Sequence, residues 1–420
     1  MRKIFAILTA LLLVSCSMNH DEVVVAMKAT QSTKISKEQA LKNLYSELKL
    51  IDGATRADGT SREVKSIKPL VGAVTRSGNT LDNDLLYIVE FGEGQGSAVV
   101  SADTRLEPVI AVLDSDVLTA EDFANEDMED ISAYMASRIE DYATFASRLT
   151  PIPLLPAPGH SVRDTIYRVH VHPLLTTKWD RGFPYNGQGI LDENPTNLQS
   201  WVVAVAQILK YYNAPASINN LAINWNLLDY VENKGVLSGN LSAYGEVRRL
   251  MAQLAAIDNS IVGLLQDMGY SSTHSYQLSD YILADTVGLD MIKESIIDRR
   301  PVLMSGSSHE LFPSGHNWVV DGCLDYTARY IVAVERMGNI GEGETVVEYI
   351  TTETDYDKIH CNFGMGGKCD GYYTYRAFNL GMRNNDIDAS VGDQAYSLTD
   401  NIEDNTYNYR YSLWLTFVEE

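Results

Sequence analysis

The chain contains the stretch Leu198-Gln-Ser-Trp-Val-Val-Ala-Val-Ala-Gln-Ile-Leu-Lys-Tyr-Tyr212. Apolar side chains continue nearly all the way round this segment, which predicts a helix buried inside a domain. Ser200 lies in its first turn, where unpaired backbone N–H groups and the helix dipole favour a developing negative charge. The position suits a nucleophile, although from composition alone an ordinary serine at a helix start is favoured.

Two later segments place polar side chains at the ends of predicted strands. His316 begins the strand in Gly315-His-Asn-Trp-Val-Val-Asp-Gly322, where an imidazole can act as a base or have a structural role. Asn362 precedes a glycine turn in Ile359-His-Cys-Asn-Phe-Gly-Met-Gly-Gly367, and its amide oxygen is placed to orient an imidazole. Ser200, His316 and Asn362 are therefore candidates for a nucleophile, a base and an orienting group.

The rest of the second half predicts helices followed by strands. Further helices are expected near 242–257 and 278–299. Strands are then expected at Pro301–Ser305, His316–Asp321, Tyr330–Val334, Val346–Ile350, Tyr372–Arg376 and Tyr411–Phe417. Helices first and strands later indicate an α+β domain with two lobes.

The first half forms a separate unit in this interpretation. A helix is expected from Ser36, then strands at Leu86–Phe91, Gly96–Ser101 and Val109–Leu113. One acidic helix, N-capped by Thr119, is expected over about 120–149. Four prolines within residues 151–158 predict a linker. The predicted divisions are a leader at 1–16, a tether at 17–34, a first domain at 35–150, the linker at 151–160 and a second domain at 161–420.

Charge and cysteine content exclude several classes of protein. The chain has 420 residues and a formal net charge of −23, a field that repels nucleic acid. Its four cysteines are too few for a disulfide scaffold and form no CxxC pair. Cys323, Cys361 and Cys369 suit either a disulfide or small core residues in an exported protein. No cofactor, metal site or nucleic-acid partner is expected.

The first sixteen residues have the pattern of an export signal. Arg2 and Lys3 precede the apolar run Ile4–Val14, which is too short to span a bilayer. The junction Leu13-Val-Ser-Cys16 resembles a bacterial lipobox, whose cysteine is acylated and becomes the mature N-terminus. We expect an exported membrane lipoprotein, periplasmic or surface-facing, that meets the membrane only through Cys16. The alternative is a plain secretory signal with a chance cysteine.

Four segments together resemble the streptopain family of papain-fold cysteine peptidases. They are Val171–Asn186, Ala206–Pro215, Gly315–Gly322 and Cys361–Tyr372, in the family's order and spacing. The resemblance implies a papain-like, two-lobed α+β fold at 161–420. It also implies that residues 35–150, which resemble the family's propeptide mainly over Leu86–Asp114, form a small α/β domain. Related stand-alone inhibitors share that propeptide fold.

The chain departs from the family at several site positions. Aligning on Ala206-Gln207 places Ser200 at the catalytic cysteine. Arg181 falls at the oxyanion-hole glutamine, where a cation beside the histidine would disfavour imidazolium. Phe363 falls at the tryptophan after the asparagine, and Met365 at the next aromatic position. His316 and Asn362 match the family.

These departures predict a degenerate site. Serine cannot form the thiolate that a cysteine peptidase needs, so we expect a homologue that is inactive or strongly impaired and that binds a peptide or its own propeptide. Two alternatives remain at this point. One is an active peptidase using Ser200, His316 and Asn362. The other is a surface interaction or inhibitor protein acting through the N-terminal domain.

Overall fold

The computed structural model describes residues 33–55, 62–70, 85–125, 127, 130–149, 162–186, 197–231, 240–257, 260–270, 273–277, 285–306, 316–337, 345–378 and 414–418. Cys16, the predicted leader, nearly all of the tether and the predicted linker lie outside these ranges. Among the described helices, none combines the length and apolarity needed to cross a membrane.

The N-terminal part is an antiparallel meander with helices on both faces. Val99 and Val100 are neighbours on one strand and face opposite sides, so one packs with Met135 and Ile139 and the other with Leu44. The elements are α1 (Lys37–Thr55), β1 (Val64–Pro69), β2 (Leu86–Phe91), β3 (Ser97–Ser101), β4 (Val109–Leu113), α2 (Ala120–Ala124) and α3 (Ile131–Leu149).

The prediction of one acidic helix over 120–149 is wrong, because two helices occupy this region. Thr119 does cap the first one: its side chain accepts from the Asp122 N–H in a capping box. Asn125 then adopts an extended conformation that ends α2. The Asp130 carboxylate accepts from the Ser132 N–H and starts α3 as a separate helix.

The second part combines a helical lobe with an antiparallel sheet, which confirms the predicted α+β class. The central helix is buried among the other helices, as its apolar sequence predicts. The elements are β5 (Val162–Val171), α4 (Ser200–Tyr212), β6 (Ser217–Ile218), β7 (Leu221–Ala222), α5 (Trp225–Leu228), α6 (Leu241–Ala255), α7 (Ile261–Asp267), β8 (His274–Gln277), α8 (Asp285–Ile297), β9 (Val302–Gly306), β10 (His316–Met337), β11 (Thr345–Asn362), β12 (Gly371–Thr374) and β13 (Trp414–Phe417).

Several predicted strands are parts of longer ones. The segments expected at His316–Asp321 and Tyr330–Val334 form the single strand β10, and Val346–Ile350 lies within β11. The residues between the predicted segments also pair across the sheet, and Arg329 lies 2.9 Å from Glu353 of the neighbouring strand. The strands β1, β5, β6, β7 and β8 and the helices α5 and α7 were not predicted.

One sheet runs through both parts of the chain. Its strand order is β1-β2-β3-β4-β12-β11-β10-β9-β13-β8, with β5 also paired to β10. The crossing point is the antiparallel pair of β4 and β12, where Tyr372 lies opposite Val112. The helix α4 packs on the β10 region of this sheet, which places Ser200 beside the start of β10.

Candidate active site

Ser200 begins α4 and is 8% exposed. Its Oγ accepts hydrogen bonds from the backbone N–H of Asn317 at 3.1 Å and from the Asn317 side-chain Nδ2 at 3.3 Å. Asn317 is itself fixed, because the Ser305 hydroxyl donates to its Oδ1 at 2.5 Å. Asn317 thus engages the Ser200 oxygen as an acceptor. The sequence analysis missed this role of Asn317, although the residue directly follows His316.

His316 begins β10 and is 7% exposed. Its ring packs against that of Tyr134, with the ring centroids 4.8 Å apart and the planes tilted by 59°. Tyr134 belongs to α3 of the N-terminal part, and Arg138 donates to its hydroxyl at 2.7 Å. A side chain from the N-terminal part therefore covers the candidate base. No feature of the local sequence identifies Tyr134 as a site neighbour.

Gly306 makes room for this contact. It lies opposite His316 in the β9–β10 pair. A Cβ added there would stand 2.8 Å from the Tyr134 hydroxyl and 2.9 Å from the Trp318 ring, closer than van der Waals contact allows. The absence of a side chain at Gly306 therefore allows the Tyr134 ring to reach His316.

Asn362 ends β11 and braces three segments. Its Nδ2 donates to the Thr177 carbonyl at 2.8 Å, and its Oδ1 accepts from Gln207 Nε2 at 3.0 Å and from the Gly364 N–H at 3.1 Å. An amide oxygen has two lone pairs, and these two donors occupy both. In this arrangement Asn362 joins the glycine turn to α4. Its predicted role towards His316 stays a prediction.

Gln207 is the second residue of this brace. It is fully buried in α4, and its Oε1 accepts from the Trp179 N–H at 3.2 Å while its amide donates to Asn362. A buried amide must be paired in this way to offset its loss of water. Gln207 therefore links α4 to two loops that border the site.

Arg181 lies beside the start of α4. Its Nε donates to the Leu198 carbonyl at 2.6 Å, and its own carbonyl accepts from the Leu198 N–H at 2.9 Å. Leu198 is two residues before Ser200, so these bonds hold the guanidinium near the helix N-terminus. Whether it occupies an oxyanion position stays a prediction.

Phe363 is a buried aromatic residue beneath the site. Its ring lies 5.7 Å from that of Trp318, and its N–H donates to the Asp370 carboxylate at 2.9 Å. Burial raises the pKa of Asp370 to about 7. The glycine turn that follows Phe363 is thus held by a buried carboxyl group.

The cysteines described in the structure are free thiols. Cys323, Cys361 and Cys369 are all buried. Burial raises the pKa of Cys323 to about 11 and that of Cys361 well above its usual value. Such thiols stay protonated at neutral pH and are poor nucleophiles. Within the described ranges, no group of three or more His, Cys, Asp or Glu is placed to hold a metal ion.

Comparison with known families agrees with this site. Residues 251–373 match the model of the Peptidase C10 family. The predicted resemblance to the streptopain family is confirmed. The matched residues include His316 and Asn362 and begin downstream of Ser200 and Arg181, whose register rests on the Ala206-Gln207 alignment. A search of curated proteins found no match.

Two solved structures are similar to this chain. The first is a fragment of prointerpain A of Prevotella intermedia in which a cysteine is mutated to alanine, with 16% identity, a TM-score of 0.49, and coverage of 85% of this chain and 98% of that one. The second is active wild-type interpain A cysteine protease of the same organism, with 18% identity, a TM-score of 0.34, and coverage of 50% and 87%.

Proposed function

We propose that this streptopain-like chain is an exported peptidase homologue that binds a peptide segment in its cleft and does not cleave it efficiently. The observation that carries the proposal is the environment of Ser200. Its Oγ accepts two hydrogen bonds from Asn317, which hold the oxygen as an acceptor next to the strand that carries His316.

The chemistry of serine supports this proposal. A cysteine peptidase depends on a thiol whose pKa, ordinarily about 8.5, falls until thiolate and imidazolium coexist. A serine hydroxyl does not ionise in this way and needs a base to remove its proton as it attacks. Loss of the nucleophile from such a set removes several orders of magnitude of activity. Ser200 therefore favours binding over turnover.

The contact between Tyr134 and His316 supports the proposal that cleavage is inefficient. The helix α3 of the chain's own N-terminal part already covers the histidine. We infer that this helix covers the site on the His316 side, and that an external peptide binds on the Ser200 side or displaces the Tyr134 ring.

Four full-length proteins test the proposal: the unmodified chain, Ser200→Ala, Ser200→Cys/Arg181→Gln, and the same double variant with Tyr134→Ala. Each is incubated with an unbiased peptide library, and products are measured by mass spectrometry. We expect the first two proteins to give at least about 1,000-fold less product than the triple variant, because the triple variant regains a thiol and an uncovered histidine. Peptide binding to the unmodified chain is measured by calorimetry.

The opposite result is equally clear. Product from the unmodified chain that disappears in Ser200→Ala, together with fluorophosphonate labelling of Ser200, shows a working serine nucleophile and refutes the proposal. The full chain is used because residues 33–149 complete the sheet that carries the site.

We also propose that the chain is exported and anchored by lipid at Cys16. The support is the sequence Arg2-Lys followed by Ile4–Val14 and the lipobox-like Leu13-Val-Ser-Cys16. Labelling of bacterial cells with an alkyne fatty acid should mark the unmodified protein and leave Cys16→Ala unmarked. Equal labelling of both proteins contradicts the anchor.

A further inference from the structure

The N-terminal part and the second part meet edge to edge through backbone hydrogen bonds. Gly371 lies opposite Leu113 and Tyr373 opposite Ala111, and the Asp114 N–H donates to the Asp370 carbonyl at 2.9 Å. The approach is so close that a Cβ added to Gly371 would stand 2.3 Å from the Val112 carbonyl oxygen. The junction therefore depends on a glycine at this position.

The two parts share hydrophobic cores. Leu44 of α1 and Val89 of β2 belong to one buried cluster with Leu324, Tyr326 and Tyr356 of the long β10–β11 hairpin. A second cluster joins the α3 side chains to the other face of the same sheet. An independently folding domain has its own core. These shared clusters indicate that the N-terminal part buries its apolar surface against the second part.

A buried lysine from the second part finds its partners in the N-terminal part. Lys358 is 1% exposed. Its Nζ donates to the Val109 carbonyl at 2.6 Å and lies 3.4 Å from the Glu107 carboxylate and 3.7 Å from that of Glu47. The Tyr326 hydroxyl also donates to Glu47. The buried ammonium group of Lys358 therefore has its polar partners in the N-terminal part.

A histidine contacts carboxylates of both parts at the same junction. His360 Nδ1 lies 2.6 Å from Asp321 of its own part, and its Nε2 lies 3.3 Å from Asp114 of the N-terminal part. Burial would lower the pKa of His360, but the two carboxylates outweigh it and raise the pKa to about 10. The charged imidazolium therefore bridges the two parts at neutral pH.

From these contacts we propose that residues 33–149 form a permanent domain of this protein. This domain stays bound along β12 even when the chain is cut between the two parts. This differs from a propeptide that is removed. It also disfavours an inhibitor acting on another molecule, because the β4 edge that such an inhibitor would offer is already paired within the chain. The proposal is independent of whether Ser200 reacts.

The test is a full-length protein in which residues 151–158 are replaced by the recognition site of a sequence-specific protease. After complete cutting, the protein is diluted to about 100 nM and passed through a size-exclusion column. Elution of both fragments together at the mass of the uncut chain is the expected result. Separate elution in native buffer overturns the proposal.

Two glycine variants test whether the β4–β12 pair holds the two fragments together. Gly371→Ala places a methyl group against the backbone of β4, and we expect at least about 10-fold weaker association of the cut fragments. Gly245→Ala makes the same change on α6, where no atom lies within 4 Å of the added Cβ, and should leave association unchanged. Equal behaviour of the two variants contradicts the role of the β4–β12 pair.

Hydrogen exchange on the uncut chain keeps the proposal testable if Gly371→Ala fails to fold. Amides of β4 and β12 should exchange together, among the slowest of the protein, because they open only with the whole sheet. Faster exchange throughout β1–β4 and α3, with β10 and β11 still protected, shows a loosely docked unit and overturns the proposal.

Discussion

Replacing Lys358 by methionine should destabilise the protein far more than replacing an exposed lysine whose ion pair is shorter. Methionine keeps most of the side-chain volume and removes the ammonium group. Glu47 and the Val109 carbonyl then remain buried without their cation, while Glu107 keeps Arg376 at 3.4 Å. Removing one partner of a buried ion pair costs about 3–5 kcal/mol. Tyr326 still donates to Glu47, so we expect about 3 kcal/mol, the lower end of this range.

The matched control is Lys65→Met. Lys65 and Glu90 are 2.7 Å apart, closer than Lys358 and Glu107, but the Lys65 side chain is 66% exposed. Water solvates both groups when such a pair is broken, so no measurable change in stability is expected. Burial rather than distance should therefore decide the size of the effect.

Urea unfolding followed by tryptophan fluorescence measures both variants. At an m-value of about 3 kcal/mol/M, Lys358→Met should lower the midpoint by about 1 M, and Lys65→Met should leave it unchanged. The double variant Lys358→Met/Glu47→Gln should recover part of the loss, because it removes the carboxylate left without its cation. Equal midpoints for the two single variants would refute the reasoning.

The same variant should show a distinct pH dependence. Burial raises the pKa of Glu47 to about 7, and the nearby Lys358 opposes this rise. A carboxyl group whose pKa is raised by folding contributes stability below its unfolded pKa and loses it as pH rises through the folded pKa. Without Lys358 the folded pKa is higher still. The stability of Lys358→Met relative to the unmodified chain should therefore fall as pH rises above about 7, the folded pKa of Glu47 in the unmodified chain.

Further predictions concern the junction, the glycine turn and a helix cap. Asp321 and Asp114 raise the pKa of His360 from 6.5 to about 10, so its contribution to stability is complete below pH 6.5 and should decline as pH rises towards 10; urea midpoints of the unmodified chain and His360→Gln should converge as pH rises. Gly364→Ala combines a φ of +64° with a methyl 2.9 Å from Val203 Cγ1 and should cost about 2–3 kcal/mol. Gly94→Ala has a φ of +70° in open space and should cost about 1 kcal/mol in the same urea assay, so equal losses at the two glycines contradict the steric argument. Thr119→Ala removes the cap of α2 and should cost about 1 kcal/mol, with Thr119→Ser restoring most of it.

Some residues of the candidate site could be predicted from the sequence, and others could not. The helix start at Ser200 and the strand start at His316 follow from local patterns of apolar and polar residues, which depend on neighbours a few positions away. Asn317 and Gln207 hold the site together through hydrogen bonds to residues far away along the chain, and an asparagine or glutamine has no local signature for such a role. Tyr134 reaches His316 from 182 positions earlier in the chain.

The sequence by itself determined the apolar central helix, the α+β class and the resemblance to the streptopain family. Each of these depends on the types and spacing of residues within short segments. Only the tertiary structure decided that the sheet runs from β4 into β12 and that Lys358 pairs with Glu47 and Glu107. The physical reason is that burial removes water from these charges, and the partners that replace the water are chosen by the fold, about 250 to 310 positions away along the chain.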